Sequence, residues 1–219
     1  MKHTYFKSSK KEFKDSIVNQ NENHEAAGLR HLAFEVDDLS VAIDELDNKV
    51  MQQVSIQYYS SPCGEIILAS VDDELCLCDW NEMPCSEHNK LRISRYMKAE
   101  FKIETSPILE QTKQQLEEYF AGIRRSFEVP LHPVGTDFQK KIWNALLDIP
   151  YGETRSYKEI AQSIGNPNCV RAVAGAIGAN GISILIPCHR VIGSNRSLTG
   201  FAGGLEAKRI LLELETEKR

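Results

Sequence analysis

The stretch Ile184-Leu185-Ile186-Pro187-Cys188-His189-Arg190-Val191-Ile192 sets a cysteine directly after an apolar run that proline closes. The run is of strand type and is expected to be buried. Pro187 ends any ladder because it has no N–H to donate. Cys188 then sits where buried structure stops and a pocket can open. A thiol is a weak nucleophile until it becomes a thiolate, and an adjacent imidazole or cation promotes that change. His189 and Arg190 supply one of each. A bare Cys-His pair also fits a buried structural cysteine, so the flanking sequence decides.

Downstream, Ser197-Leu198-Thr199-Gly200-Phe201-Ala202-Gly203-Gly204 is a loop of small residues. A helical run to Glu215 follows, with Leu205, Leu211 and Leu212 expected on one face. Glu215 comes four residues after Leu211 and three after Leu212, so it falls on that inward face. A buried acid needs a partner, and a histidine can be one. Glu213, four residues after Arg209, is placed for an outer-face ion pair. Upstream lie Tyr157 and the segment Arg171-Ala172-Val173-Ala174-Gly175-Ala176-Ile177-Gly178-Ala179-Asn180.

Four segments together carry a resemblance: Pro-Cys-His-Arg-Val from Pro187, Arg-Ala-Val to Asn180, Gly-Gly-Leu from Gly203, and Leu-Leu-x-x-Glu ending at Glu215. They resemble the O6-alkylguanine-DNA alkyltransferases, also called methylated-DNA–protein-cysteine methyltransferases. The resemblance runs from about Ser55 to Glu215 and is strongest from Phe138 onward. It implies an α+β fold with a small N-terminal antiparallel sheet domain of ribonuclease H-like type (residues 51–128). A C-terminal helical domain with a helix-turn-helix (136–219) follows, and residues 1–50 precede both as an extension.

Composition agrees with such a protein. A chain of 219 residues, 42% hydrophobic and 26% charged, fits one large or two small domains. No apolar run approaches the ~20 residues of a membrane span. The basic start Met1-Lys2-His3-Thr4-Tyr5-Phe6-Lys7 is not followed by a hydrophobic signal region, so a cytoplasmic protein is expected. Six cysteines without a secretion signal are expected as reduced thiols. The net charge of −5 is unevenly spread. Between Asp137 and Ile210 there are 9 Lys and Arg against 5 Asp and Glu, a local +4 that leaves −9 on the remainder. A locally basic module on an acidic protein can bind DNA in a salt-sensitive way.

Residues 1–27 are polar and read as a leader. The stretch Gly28 to Leu39 alternates like a strand, with Leu32, Phe34 and Val36 on one face, and Ser40 to Val50 is helix-like. This piece is similar to one strand–helix unit of glyoxalase-type proteins, where a histidine at the place of His31 can bind metal. The partner ligands and remaining strands are absent, so no such chemistry is expected. Three strands follow: Ser55 to Tyr59, Glu65 to Val71 and Leu75 to Trp80. Cys76 and Cys78, two apart, are expected on the same side of the third. With Cys63, Cys85 and His88 they could hold zinc, as some family members do, but Cys-x-Cys is not structural-zinc spacing. Ordinary thiols and no cofactor are expected. Pro107 opens a helix after Ser106. Residues 129–136 read as a linker.

Thr136-Asp137-Phe138-Gln139 is a capping box that starts a helix with Phe138, Ile142, Ala145 and Leu146 inward. Ser156-Tyr157-Lys158-Glu159 is a second box. After the Gly165-Asn166-Pro167-Asn168 turn, another helix begins near Cys169. Helix, turn and helix at this spacing suggest a helix-turn-helix. The last helix has one apolar face (Val170, Val173, Ala174, Ile177). Its other face has little bulk: Arg171, Ala172, Gly175, Ala176, Gly178 and Ala179. Such a face suits tight helix packing or close approach to DNA.

The resemblance implies the roles. Cys188 is the nucleophile, His189 deprotonates it through a water, Glu215 orients His189, and Tyr157 supports purine N3. The small-faced helix enters the minor groove through Ala172 and Gly175. Arg171 fills the stack vacated by the flipped nucleotide, and Asn180 is the hinge tying helix to active-site segment. Arg190 is expected at the DNA interface. Pro187, Val191, Phe201, Ala202 and Gly203 are expected around the substrate, with backbone carbonyls of Cys188 and Val191 reading the guanine amino group. The substrate is double-stranded DNA carrying O6-alkylguanine, with O4-methylthymine beside it, and the protein acts once, as a monomer. Many members have Tyr and Ser where this chain has Phe201 and Ala202, which removes two hydroxyls from the loop. A lesion binder without transfer would lack the cysteine, and a Cys–His hydrolase would need an oxyanion motif that is not evident.

Overall fold

The computed structural model describes residues 51–217. The expectations for Gly28–Val50, His31 included, lie outside the described residues. Strands β1 (Gln52–Ser61), β2 (Gly64–Val71) and β3 (Glu74–Trp80) form an antiparallel meander. Gly64 takes φ +113° at the first turn and Asp72 φ +48° at the second, the left-handed geometry that tight hairpins need. Helix α1 (Pro84–Met97) then crosses over to β4 (Ala99–Ile103), which runs parallel to β1. The sheet, in order β3-β2-β1-β4, is therefore mixed and not purely antiparallel as expected. A parallel return needs a long crossover, and α1 supplies it. The sequence concealed this helix because only Ser86, Asn89 and Ile93 of it are buried.

The sheet is covered on both faces. Ile67, Ala69 and Val71 of β2 join Ile93 of α1 in one core, while Ile66 and Leu68 face a larger core with α2 (Pro107–Phe120) and the C-terminal helices. Burial on both sides explains why β2 reads as a continuous apolar run. On β3 the expected alternation fails. Ala69 pairs with Leu77 and Ser70 with Leu75, so Cys76 is an extra, bulged residue. Cys76 consequently lies in the α1-side core and Cys78 in the other, and the two thiols do not share a face.

The C-terminal part is helical. Thr136 and Gln139 form the expected capping box of α3 (Asp137–Leu147), and Ser156 and Glu159 that of α4 (Tyr157–Ser163). In α3 the buried residues are Ile142, Trp143 and Leu146, whereas Phe138 is 39% exposed. Burying a side chain such as Ile142 contributes about 1.5–3 kcal/mol. Trp143 reaches further, its indole N–H donating to the Ala176 carbonyl of α5 (Val170–Gly178) at 2.8 Å. That contact puts Ala176 in the core, not on the small outer face. Helices α4 and α5, joined through Gly165 at φ +81°, complete a helix-turn-helix. A short parallel pairing of β5 (Arg155–Ser156) with β6 (Val191–Ile192) follows, and α6 (Gly204–Glu217) ends the described chain. No described helix is long and apolar enough to cross a membrane.

The apolar run before Cys188 is buried, but it is not a strand. Ile182 bridges to Cys78, with Cys78 N–H donating to Gly181 O at 2.8 Å and Ser183 N–H to Cys78 O at 2.7 Å. Ile184 then takes φ +71°, and Ile186 N–H turns back to Ile182 O at 2.9 Å. A run that is apolar at every position has no period, so the same residues can bury as a compact turn. A β-branched residue in the left-handed region costs of order 1–3 kcal/mol, and the surrounding core holds it there.

Candidate active site

The buried turn delivers Pro187 and a single 3-10 turn, Cys188–Arg190, into the molecule. Successive side chains on such a turn point about 120° apart. Cys188 opens onto a cavity of about 450 Å³ lined also by Tyr157, Ala174, Ile177, Gly178, Thr199, Gly200, Phe201 and Ala202. His189 and Arg190 point instead into the protein and meet Glu215, which is fully buried on α6.

Glu215 is the most heavily bonded side chain of the site. Its Oε1 accepts from His189 Nε2 at 2.9 Å, Tyr119 Oη at 2.8 Å and Arg190 Nη2 at 2.9 Å. Its Oε2 accepts from Arg190 Nε at 2.9 Å and the Gly152 N–H at 3.1 Å. Burial by itself would raise the carboxyl, but the His189 and Arg190 donors override it and hold it well below the usual carboxylate range. An ionised Glu215 fixes the proton of His189 on Nε2. It leaves Nδ1 as the basic nitrogen, which has no protein partner among the described residues. Burial lowers the His189 pKa, so the imidazole is neutral and able to accept a proton.

Cys188 is 4% exposed and its thiol is pushed up by burial. The Asn180 Nδ2–H, at 3.2 Å from Sγ, and Ser183 act against that rise. Two charges act as well: Asp79 on β3 disfavours a thiolate and Lys208 favours it. Burial raises Asp79 to about 6, against hydrogen bonds from Asn89 and the Trp80 N–H. Lys208 is fully buried, donates to Val191 O at 2.6 Å and Thr199 O at 2.8 Å, and is lowered by burial to about 8. The arrangement is a thiol with a neutral base behind it and a buried cation near it, at the floor of a pocket one side of which is a helix-turn-helix. It can perform nucleophilic attack on a small electrophilic carbon presented through that opening.

Comparison with known proteins places the chain in a family. Residues 54–133 match the family model of the 6-O-methylguanine DNA methyltransferase ribonuclease-like domain, and 137–217 match its DNA-binding domain. The methylated-DNA–protein-cysteine methyltransferase of Methanosarcina acetivorans is 46% identical over 72% of this chain and 95% of its own length. The constitutive enzyme of Bacillus subtilis is 42% identical over 73% of this chain and 96% of its own. This chain belongs to the methylated-DNA–protein-cysteine methyltransferase family. It is a DNA-repair enzyme that passes an alkyl group from DNA to a cysteine. The crystal structures of Mycobacterium tuberculosis O6-methylguanine methyltransferase and of OGT from that organism in complex with DNA each superpose with a TM-score of 0.64. Both show 41% identity and cover 76% of this chain and 94% of theirs.

The cavity and its surroundings depart from the sequence expectations in particular places. Tyr157, Cys188, Phe201 and Ala202 line the cavity as expected. Pro187 does not; it borders a separate cavity behind the turn, with Tyr151 and Arg190. Val191 is fully buried and its carbonyl is taken by Lys208. Gly203 lies against the ring of Trp80. Arg190, expected at the DNA surface, is 7% exposed and spends its guanidinium on Glu215 and the Ile149 carbonyl. Arg171, Ala172 and Gly175 are exposed on α5, as a DNA-facing surface requires. Asn180 is buried; its Nδ2 donates to Ile186 O at 3.0 Å and to Cys188, and its Oδ1 accepts the Ile182 N–H at 3.0 Å. It ties α5 to the cysteine turn and does not face the surface.

Leu205 is 50% exposed, and the inward stripe of α6 is Ala207, Lys208, Leu211 and Glu215. Six residues separate Leu205 from Leu211, which places them on different faces of a helix. That stripe carries the signal that Lys208 gave: seven residues before Glu215, it falls on the same buried line. The outer Arg209–Glu213 pair forms as expected, at 2.6 Å. Among the described residues no group of three or more His, Cys, Asp or Glu could hold a metal.

Proposed function

We propose that Cys188 is the acceptor and that the substrate is an O6-alkylated guanine, with O4-methylthymine as a second lesion, flipped out of duplex DNA. The observation that carries this reading is the Glu215–His189 pair set behind a pocket-facing cysteine. The Cys188 proton passes to His189 Nδ1, through a water as the resemblance implies. The sulfur attacks the alkyl carbon, the S–C bond forms, and the C–O6 bond breaks. Its electron pair goes to the guanine, which Tyr157 stabilises near N3. The imidazolium formed is held by ionised Glu215. Lys208 offsets the thiolate charge, which burial keeps away from bulk water.

Arg171, Ala172 and Gly175 engage the minor groove, where small residues permit close approach, and Arg171 fills the gap left by the flipped nucleotide. A minor-groove reader of this kind has little sequence preference. Phe201 and Ala202 leave the loop's backbone N–H groups to support O6. A thioether is not hydrolysed by anything in the site, so each molecule acts once, as a cytoplasmic monomer without a cofactor. The test incubates wild type and Cys188→Ala with duplex containing O6-methylguanine and measures both transfer and binding. Wild type transfers one methyl per molecule, and the variant binds without transfer. Methyl transfer by Cys188→Ala refutes the assignment.

A further inference from the structure

We propose that Trp80, on the sheet and outside the pocket lining, is a positioning residue that sets how large an alkyl group the pocket accepts. The inference rests on the transfer activity proposed above. The outer wall of the pocket is the loop through Thr199, Gly200, Phe201 and Ala202. Thr199 and Gly200 are exposed, and the loop is tied on either side of Phe201, by Lys208 Nζ on Thr199 O at 2.8 Å and by Cys85 Sγ on Ala202 O at 3.7 Å.

Between these ties, and beside His189 and Lys208, Phe201 is supported by the Trp80 indole. Phe201 meets that ring edge-on, with centroids 5.1 Å apart at 70°. Gly203 lies so close that a Cβ there would be 2.5 Å from two carbons of the ring, a separation no real side chain tolerates. The ring cannot give way, because it is 4% exposed and its N–H donates to Cys63 O at 2.9 Å. On its far edge a Cβ at Gly64 would already be at 3.4 Å. The sheet thus presents a fixed plate, and Phe201 takes its place in the pocket from that plate. Removing the indole lets the loop retreat and widens the cavity.

The experiment compares rates on duplexes carrying O6-methylguanine or O6-benzylguanine for wild type, Trp80→Leu, Trp80→Phe and Gly203→Ala, with folding and duplex binding checked. In Trp80→Leu the benzyl-to-methyl rate ratio rises by about tenfold, the lower end of what one methylene changes in an apolar pocket. Trp80→Phe restores most of the wild-type ratio. Gly203→Ala slows the wild-type protein strongly but adds little to Trp80→Leu, because the ring it strikes is gone. A purely structural role for Trp80 would lower both rates alike. A ratio within about twofold of wild type in a folded Trp80→Leu, far short of a one-methylene effect, overturns the inference. So does a Gly203→Ala penalty equal in the two backgrounds. Should Trp80→Leu fail to fold, Gly203→Ala reads the same contact: a changed ratio supports the inference and an unchanged one overturns it. If wild type transfers neither group, the function itself is refuted, not the role of Trp80 alone.

Discussion

Glu215→Gln isolates the buried centre of the site with the smallest possible change. Glutamine keeps the shape but exchanges one oxygen for an NH2. If the amide oxygen replaces Oε1, the NH2 faces Arg190 Nε and the Gly152 N–H. In the other orientation it faces Tyr119, His189 and Arg190 Nη2. At least two donors then oppose a donor, and a guanidinium that is 7% exposed loses its counter-charge. Breaking a buried ion pair from one side costs about 3–5 kcal/mol. At roughly 2–4 °C per kcal/mol for a chain of this length, the thermal midpoint falls by about 6–20 °C.

The pH dependence follows from the depressed Glu215 pKa. Its stabilisation is complete above the unfolded carboxylate value, near about pH 4.3. It is lost as pH falls through the lower folded value, so the gap between wild type and variant narrows in acid. Transfer also slows, because His189 loses the negative charge that holds its protonated form and, in one amide orientation, its acceptor as well. Melting followed by circular dichroism from neutral to acidic pH is the assay. A midpoint at pH 7 within about 2 °C of wild type, a cost under about 1 kcal/mol, refutes the reasoning. So does a gap that stays constant into acid.

Three further outcomes are expected. Arg171→Ala slows repair of alkylated duplex far more than reaction with free O6-alkylguanine, since only duplex requires an extruded base to be held; equal slowing would contradict the role. Asp79→Asn removes an anion that opposes the Cys188 thiolate, so the rate against free O6-alkylguanine rises at lower pH than in wild type. Because the folded Asp79 value is raised to about 6, its destabilising contribution grows as pH rises toward 6 and is complete above, which is where the variant gains most. An unshifted rate profile would count against the coupling. A chain starting at Met51 folds and transfers within about tenfold of the full chain, a difference of about 1.4 kcal/mol in barrier; a larger loss in a folded truncation would reveal a function in residues 1–50.

Much of the site's arrangement was legible in the sequence because that arrangement is local. Cys188 and His189 are adjacent, both capping boxes are four-residue patterns, and Glu215 is betrayed by its phase on α6. What stayed hidden depends on distant partners. Tyr119 and Gly152 reach Glu215 from 96 and 63 residues away, and no spacing rule connects them. Helix α1 shows little apolar periodicity because it buries few residues. The bulge at Cys76 and the left-handed Ile184 arise where tertiary packing overrides strand patterning. Arg190 looked like a DNA contact because sequence gives charge but not direction, and direction turned it inward to Glu215.

The most direct test of the account is the intact mass of the wild-type protein after incubation with duplex DNA containing O6-methylguanine, followed by peptide mapping. The expected result is a gain of one CH2 per molecule, carried entirely by the peptide containing Cys188, with no further gain in excess DNA. An unchanged mass with the lesion intact, or a methyl group on another residue, would contradict it.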